Sequence, residues 1–446
     1  MSDVKPGRLT GEQIASNFAD MHPPLTRSEA AIDADRCYFC YDAPCTTACP
    51  TGIDIPGFIQ KIRSGNLKGS AHTILSENIM GGMCARVCPT EVLCEQACVR
   101  NTHEDQPVRI GMLQRYATDP VFESGTQLFT RAADTGREIA IIGGGPAGLS
   151  CAHRLAMLGH KAIVFEPREK LGGLNEYGIA AYKTLDDFAA REVEYILGIG
   201  GIEVRTGTAL GQHITLQELR EQYDAVFLGF GLSGVNGLGL EQEQLEGVAN
   251  AIDYIAELRQ APDRSKLPVG RRVVVIGGGM TAIDIAVQSK ALGAEQVTMV
   301  YRRGQEQMNA SRYEQEFAQT RGVTLRHWSM PRRLLNAGSR VCGVEFETTR
   351  LEDGRLQGNG ETWQLDADVV FKAIGQKVTW ERLAGTGELL ELREGRIAVD
   401  AGRRTSLGGV WAGGDCVYGG EDLTVSAVQD GKLAALSIDK ALKGGA

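Results

Sequence analysis

The sequence contains no stretch of the roughly 18 consecutive apolar residues that a membrane-spanning helix needs. Its first residues, Met1-Ser2-Asp3-Val4-Lys5-Pro6-Gly7-Arg8, are polar and lead into no apolar core of an export signal. Basic side chains are not in excess either. Lys and Arg number 47 against 56 Asp and Glu, a formal net charge of −9, so no basic surface advertises nucleic acid or anionic lipid. These absences lead us to expect a cytoplasmic protein with no nucleic-acid or membrane partner.

What is abundant is glycine and clustered cysteine. The 446 residues suffice for about three domains. Gly is high at 56, as expected if several nucleotide-binding turns are present. Of 11 cysteines, eight lie between Cys37 and Cys98, while Cys151, Cys342 and Cys416 are scattered. Without an export signal, clustered cysteines point to metal rather than to disulfides. The first run is Cys37-x2-Cys40-x4-Cys45-x3-Cys49-Pro50, and the second is Cys84-x3-Cys88-Pro89-x4-Cys94-x3-Cys98. Zinc would take two separated pairs per ion. Three close thiolates with a fourth cysteine before proline is how ferredoxin-like segments wrap a cubane, the last cysteine of a run often serving the other cluster. Two [4Fe-4S] clusters follow from the count. Ile55, Phe58, Ile59 and Ile62, then Ala71, Ile74 and Leu75, recur at helical spacing, so 55–64 and 68–77 should be helices. Residues 118–134 have weak periodicity and several turn formers and read as a linker.

Ile139 to Ile142 form a short apolar strand, followed by Gly143-Gly144-Gly145-Pro146-Ala147-Gly148. Gly143, Gly145 and Gly148 make a G-x-G-x-x-G turn whose backbone can approach a pyrophosphate, at the N-terminus of a helix that attracts it. Glu166 closes the next apolar run, where its carboxylate could accept from a ribose 2′-hydroxyl and would repel a 2′-phosphate. This describes a site for FAD or NAD. The paired glycines of Leu171-Gly172-Gly173-Leu174 would admit a flat ring system, with Gly173 and Leu174 as candidates, although the same residues make an ordinary turn. Helix is expected over 184–197, with strands at 202–205 and 225–229.

The motif recurs 134 residues later, as Gly277-Gly278-Gly279-Met280-Thr281-Ala282 after Arg272 to Ile276. In this copy the place of Glu166 falls to Tyr301, followed by Arg302 and Arg303. Loss of the ribose carboxylate and gain of two guanidiniums suits a 2′-phosphate, so the copy favours NADP(H); two arginines could also be a solvated strand end. A strand over 366–374 runs into Gly375, and 408–415 ends in Gly413-Gly414-Asp415. In flavoproteins with two dinucleotide domains such segments mark the return to the flavin domain. Asp415 would bond the ribityl and pyrophosphate region, and a helix from Thr424 to Leu442 would aim its N-terminus at the flavin's pyrimidine edge. Hydride transfer between stacked rings needs placement rather than an acid or base, so no catalytic side chain is named. No C-x2-C or C-x4-C pair follows either motif, which argues against disulfide reduction.

The order of two cysteine runs, FAD motif, NAD(P) motif and Gly-Gly-Asp resembles the glutamate synthase small subunit and the corresponding half of dihydropyrimidine dehydrogenase. Cys40-Tyr-Asp-Ala-Pro-Cys45, Cys49-Pro-Thr-Gly-Ile-Asp-Ile, Val87-Cys-Pro-Thr90 and Ile110-Gly-Met-Leu-Gln114 look closer to the pyrimidine enzyme. The resemblance implies one cluster on Cys37, Cys40, Cys45 and Cys98. It implies a second on Cys49, Cys88, Cys94 and the amide oxygen of Gln114, where counting alone would choose Cys84. The FMN barrel and further ferredoxin-like segment that the pyrimidine enzyme also needs are not present. The resemblance therefore implies an electron-input subunit carrying electrons from NADPH or NADH through FAD and two clusters to an FMN-containing catalytic partner that reduces uracil or thymine. A glutamate synthase small subunit, a free-standing ferredoxin-type reductase and a redox-sensing scaffold are the rival readings.

The expected fold is α/β: a helical iron–sulfur domain over 1–135, then two Rossmann-type domains. The first, for FAD, spans 136–262 and resumes over 372–446; the second, for NAD(P), spans 263–371.

Overall fold

The computed structural model describes residues 9–383 and 385–444. The chain forms two compact units. One comprises residues 22–176, 186–234 and 377 onward; the other comprises residues up to 21, 177–185 and 235–376.

The first unit begins with helices. Ile55–Arg63 buries Ile55, Phe58, Ile59 and Ile62, as their spacing requires, and Asp54 caps it by accepting from Gly57 N at 3.0 Å. Leu67–Glu77 is capped by Asn66 and packs Ile74 into the same core as Phe58, Leu113 and Ala117. Ile110–Ser124 runs seven residues into the segment expected to be linker and ends at Gly125 in the left-handed region. Burial of Thr118, Val121 and Phe122 outweighs the hydrogen bond lost at Pro120.

After these helices comes a five-stranded parallel sheet, ordered Val410–Ala412, Ala225–Leu228, Glu138–Ile142, Lys161–Glu166, Ile202–Thr206. Its central strands are apolar because both faces are covered, as parallel sheets demand. The edge strand at 410–412 and the helix Thr424–Leu442 complete the layer from the far end of the sequence. The helix expected over 184–197 begins only at Phe188, because Asp186 and Asp187 adopt φ of 54° and 52°.

The second unit carries another five-stranded parallel sheet, ordered Val248–Asn250, Val369–Lys372, Arg272–Ile276, Gln296–Val300, Thr324–Arg326. The strand Val248–Asn250 and the helix Ala251–Gln260 belong here rather than before a boundary at 262/263. Val248 pairs with Val370, and Ala251, Ile255 and Leu258 enter the core with Val273 and Ile283. Ile14 and Phe18 join that core too, so the helix Gly11–Asn17 belongs to this unit and not with the cysteine-bearing helices. Strands Ser329–Ala337, Arg340–Glu352 and Arg355–Asp366 form an antiparallel meander that the sequence reading did not anticipate. Among the described residues, no helix is long and apolar enough to cross a membrane.

Candidate functional site

In the first unit, strand Glu138–Ile142 turns at Gly143, whose φ is +101°. A Cβ there would lie 2.4 Å from Gly229 O, and one on Gly148 would lie 1.9 Å from Gly143 O, so both positions exclude a side chain. Gly145 meets only the Cα of Gly173, at 3.7 Å, leaving its face open. It is the N-cap of Pro146–Met157 and offers no side chain to the helix's first amides, with Pro146 at the first turn. Ala147 is buried. Glu166 ends its strand with the carboxylate accepting from Gly144 N at 2.8 Å and Arg168 N at 3.0 Å, and burial pushes its pKa up.

The remaining flavin candidates gather on the same turn. Gly173, at φ +55°, backs onto Gly145, and Leu174 beside it is partly exposed. Gly414, at φ +77°, comes within 3.1 Å of the Ala147 methyl by its implied Cβ and donates N–H to Asp430 Oδ2 at 2.8 Å. Asp415 makes no hydrogen bond or ion pair among the described residues. Burial, reinforced by Asp422, pushes it up to about 7. The helix Thr424–Leu442 packs closely on Pro146–Met157: a Cβ on Gly431 would lie 2.1 Å from Ala147 O, and Ser150 Oγ donates to Val428 O at 2.7 Å. Thr424 Oγ1 donates to Asn175 Oδ1 at 2.7 Å. An uncapped helix start, an open glycine face and a carboxyl without a partner fit a pyrophosphate and a hydroxylated chain.

In the second unit, Gly277 excludes a side chain, since a Cβ would lie 2.2 Å from Ala373 O. Gly279 faces open space and precedes Met280–Ala291 without capping it. Thr281 is partly buried and Ala282 fully so, a methyl fitting where the first copy has Gly148. The Tyr301 ring covers Gly278, and its hydroxyl donates to Gln307 O at 2.7 Å. Arg302 and Arg303 are exposed; their carbonyls accept from Thr349 Oγ1 and Trp328 N, while neither guanidinium makes an ion pair among the described residues. Gly375, at φ +91°, sits in the turn beside Asn236.

The cysteines fall into two adjoining sets. Cys37, Cys40, Cys45 and Cys98 lie close enough for their charges to interact, and Phe39 N–H donates to Cys37 Sγ at 3.4 Å. Cys49, Cys84, Cys88, Cys94 and Gln114 line one cavity, with Val425 from the first turn of Thr424–Leu442 in its wall. Cys94 also feels Cys45. Burial pushes Cys45 up to about 11 and Cys94 well above the usual thiol range; for Cys88 the hydrogen bond with Cys84 acts first and burial second. Arg100 pulls Cys37 the other way, more weakly than burial pushes it up, and thiols so crowded are suited to becoming thiolates when iron supplies the charge. Gln114 commits its amide nitrogen to Gly81 O at 2.6 Å, leaving Oε1 free to ligate. Both Gln114 and Cys84 reach the cavity. Cys151 and Cys416 are buried in the sheet layers and Cys342 is exposed.

Two conspicuous residues escaped the sequence reading. Lys432 Nζ, on the helix Thr424–Leu442, donates to Thr51 O at 3.0 Å and Glu77 O at 3.1 Å, tying the loop after Cys49 to the layer of the first parallel sheet. Glu192 is 1% exposed and accepts from Gly82 N at 2.9 Å and Met83 N at 3.0 Å, filling the first turn of Gly81–Val87.

Residues 14–126 match the family described as dihydropyrimidine dehydrogenase domain II, 4Fe-4S cluster, and residues 137–431 match pyridine nucleotide-disulphide oxidoreductase. The chain belongs to the pyridine nucleotide-disulphide oxidoreductase family. Within it, the glutamate synthase [NADPH] small chain of Escherichia coli K12 is 35% identical over 94% of this chain and 92% of its own. The NAD-dependent dihydropyrimidine dehydrogenase subunit PreT of Salmonella typhimurium is 32% identical over 95% and 97%. Mycobacterium tuberculosis FprA in complex with NADPH shares the fold, with a TM-score of 0.58 at 19% identity over 69% of this chain and 85% of its own. This pyridine nucleotide-disulphide oxidoreductase is an NAD(P)-dependent flavin and iron–sulfur enzyme and an electron-transfer subunit, as the order of its motifs indicated.

Proposed function

We propose that this chain is the electron-input subunit of an NAD(P)-dependent dihydropyrimidine dehydrogenase, binding FAD and two [4Fe-4S] clusters and delivering electrons to an FMN-containing partner. The observation that supports this reading is the cavity in which Cys49, Cys88, Cys94 and Gln114 meet Val425, because these expected cluster ligands then lie against the first turn of the helix expected to face the flavin. A flavin serving a local substrate would need no such neighbour. The chemistry supplied by the bound groups is hydride acceptance at the flavin and one-electron conduction through the clusters.

The chain's own residues bind and orient. Gly143, Gly145 and Gly148 admit the FAD pyrophosphate, Glu166 takes the ribose, Asp415 holds the ribityl region, and Gly173, Leu174 and Thr424 border the ring. Gly277, Gly279 and Ala282 admit the second dinucleotide, and Arg302 and Arg303 favour NADPH over NADH. Cys37, Cys40, Cys45 and Cys98 take one cluster; Cys49, Cys88, Cys94 and Gln114 take the other.

A glutamate synthase small chain is the second reading, favoured by the 35% identity to that relative. Assays separate the two. The isolated chain should oxidise NAD(P)H with artificial acceptors and reduce no pyrimidine, and adding an FMN-containing dihydropyrimidine dehydrogenase subunit should produce dihydrouracil. Glutamate formation with a glutamate synthase large subunit, and no dihydrouracil with the FMN subunit, would decide for the second reading.

A further inference from the structure

The cavity of the second cysteine set holds a polar group that the protein leaves unsatisfied. Asn78 follows the helix Leu67–Glu77 and is 0% exposed. Its Oδ1 accepts from Met80 N at 3.1 Å, which fixes the plane of the amide. Its Nδ2 is buried without a hydrogen-bond partner among the described residues, on a residue that lines the cavity beside Cys49, Cys84, Cys88 and Cys94. A buried donor left unmade costs about 1–3 kcal/mol, so such groups call for an explanation. Most of the surrounding wall, with Ile53, Ile55, Leu93 and Val425, is apolar, and neither Gln114 nor Thr90 in the same wall accepts from this group. What fills the cavity must therefore supply one.

We propose that Asn78 donates an Nδ2–H hydrogen bond to a sulfur of the cluster held by Cys49, Cys88 and Cys94, and thereby raises that cluster's reduction potential. Sulfide and thiolate sulfurs accept N–H groups, and hydrogen bonds to them are among the determinants of cluster potential. The direction follows from charge. The reduced cluster carries one more negative charge than the oxidised one, so a fixed donor stabilises it more. This donor stands where the wall also carries Val425, next to the flavin-facing helix turn, and so acts on the cluster that would receive electrons from the flavin. The inference rests on reading the cavity as a [4Fe-4S] site.

The test is an EPR-monitored redox titration of the cluster-loaded chain, comparing wild type with Asn78→Leu and Asn78→Asp. Asp keeps the acceptor for Met80 N and, when ionised, replaces the donor by a negative charge that acts in the same direction, so it covers the case in which Leu fails to fold, while the 15N coupling below reports the hydrogen bond itself. Both variants should make reduction of the second cluster tenfold or more less favourable, a fall of about 59 mV for a one-electron couple, with the first cluster unmoved. Wild type grown with 15N-asparagine should show a 15N coupling to the second cluster by pulsed EPR that both variants lose. An unchanged potential in a variant retaining its iron, or no 15N coupling in wild type, overturns the role of Asn78 and leaves the cavity as a cluster site. Wild type with a single cluster, or with zinc in place of iron, overturns the reading of the cavity itself.

Discussion

Glu192→Gln keeps the acceptor that the Gly82 and Met83 amides require and deletes the ionisable group. Burial pushes this carboxyl from the usual 4.5 up to about 8, against the opposing pull of those two amides and of Arg86. A carboxyl whose folded pKa exceeds its unfolded one takes up a proton on folding. Its contribution to stability is therefore undiminished below pH 4.5 and is lost progressively as pH rises toward 8. At 1.36 kcal/mol per pH unit, the interval from 4.5 to 7 corresponds to about 3 kcal/mol. Arg86 does not cancel this, because it is held by Asp119 at 2.8 Å and Gly82 O at 3.0 Å rather than by Glu192. Thermal unfolding of the cluster-loaded chain, followed from pH 5 to 8.5, should show little difference between wild type and variant at pH 5 and a growing advantage for the variant above it. A difference that does not change with pH, or a variant less stable at pH 8, would refute the claim that the chain buries a neutral acid beside the helix that bears Cys84 and leads into Cys88.

The anaerobically purified chain should carry about eight irons and one FAD, and stoichiometric zinc without iron would contradict the ligand assignment. Cys45→Ser and Cys98→Ser should each remove the same cluster by EPR; loss of different clusters would show that the partition is wrong. The Arg302→Ala, Arg303→Ala double variant should lose tenfold or more in NADPH affinity with little change for NADH, since each charge-assisted contact contributes about 1.5–3 kcal/mol; equal losses for both nucleotides, measured by titration, would exclude a 2′-phosphate site. Gly431→Ala should lower FAD content, because its methyl meets Ala147 O at 2.1 Å and must push apart the two helices that frame the glycine turn; full retention of FAD would mean the packing there is slack.

The two glycine turns were legible because their causes are local: a strand of four apolar residues, glycines where a Cβ has no room, and a helix directly after. The same holds for Ile55, Phe58, Ile59 and Ile62, whose spacing alone picks out the buried face. Elements held by distant partners were not legible. Val248–Asn250 is a strand because Val370 pairs with it more than 100 residues later, and nothing near it announces the fact. Pro120 disguised the last turns of a helix that tertiary burial sustains. Asn78, Glu192 and Lys432 were missed for a related reason. Each is an ordinary surface residue by type, and only the fold removes it from water.

The flavin layer is assembled from the two ends of a long detour. Its edge strand at 410–412 pairs with 225–228, and its last helix lies on one that begins at Pro146, so about 180 residues of other structure are synthesised in between. A growing polypeptide that has emerged as far as the first glycine turn therefore has cysteines and half a nucleotide fold, but neither Asp415 nor the helix that closes over the turn. At synthesis rates of about 5–20 residues per second, this interval lasts on the order of ten seconds or more. The open sheet edge of Ala225–Leu228 is a hazard throughout that time, and a flavin bound with Asp415 and Thr424 has to wait until they have emerged. Truncations, fusions or stalls that affect the segment from Val410 to Leu442 should thus be read first as defects of maturation, with the flavin failing to enter, before they are read as defects of electron transfer.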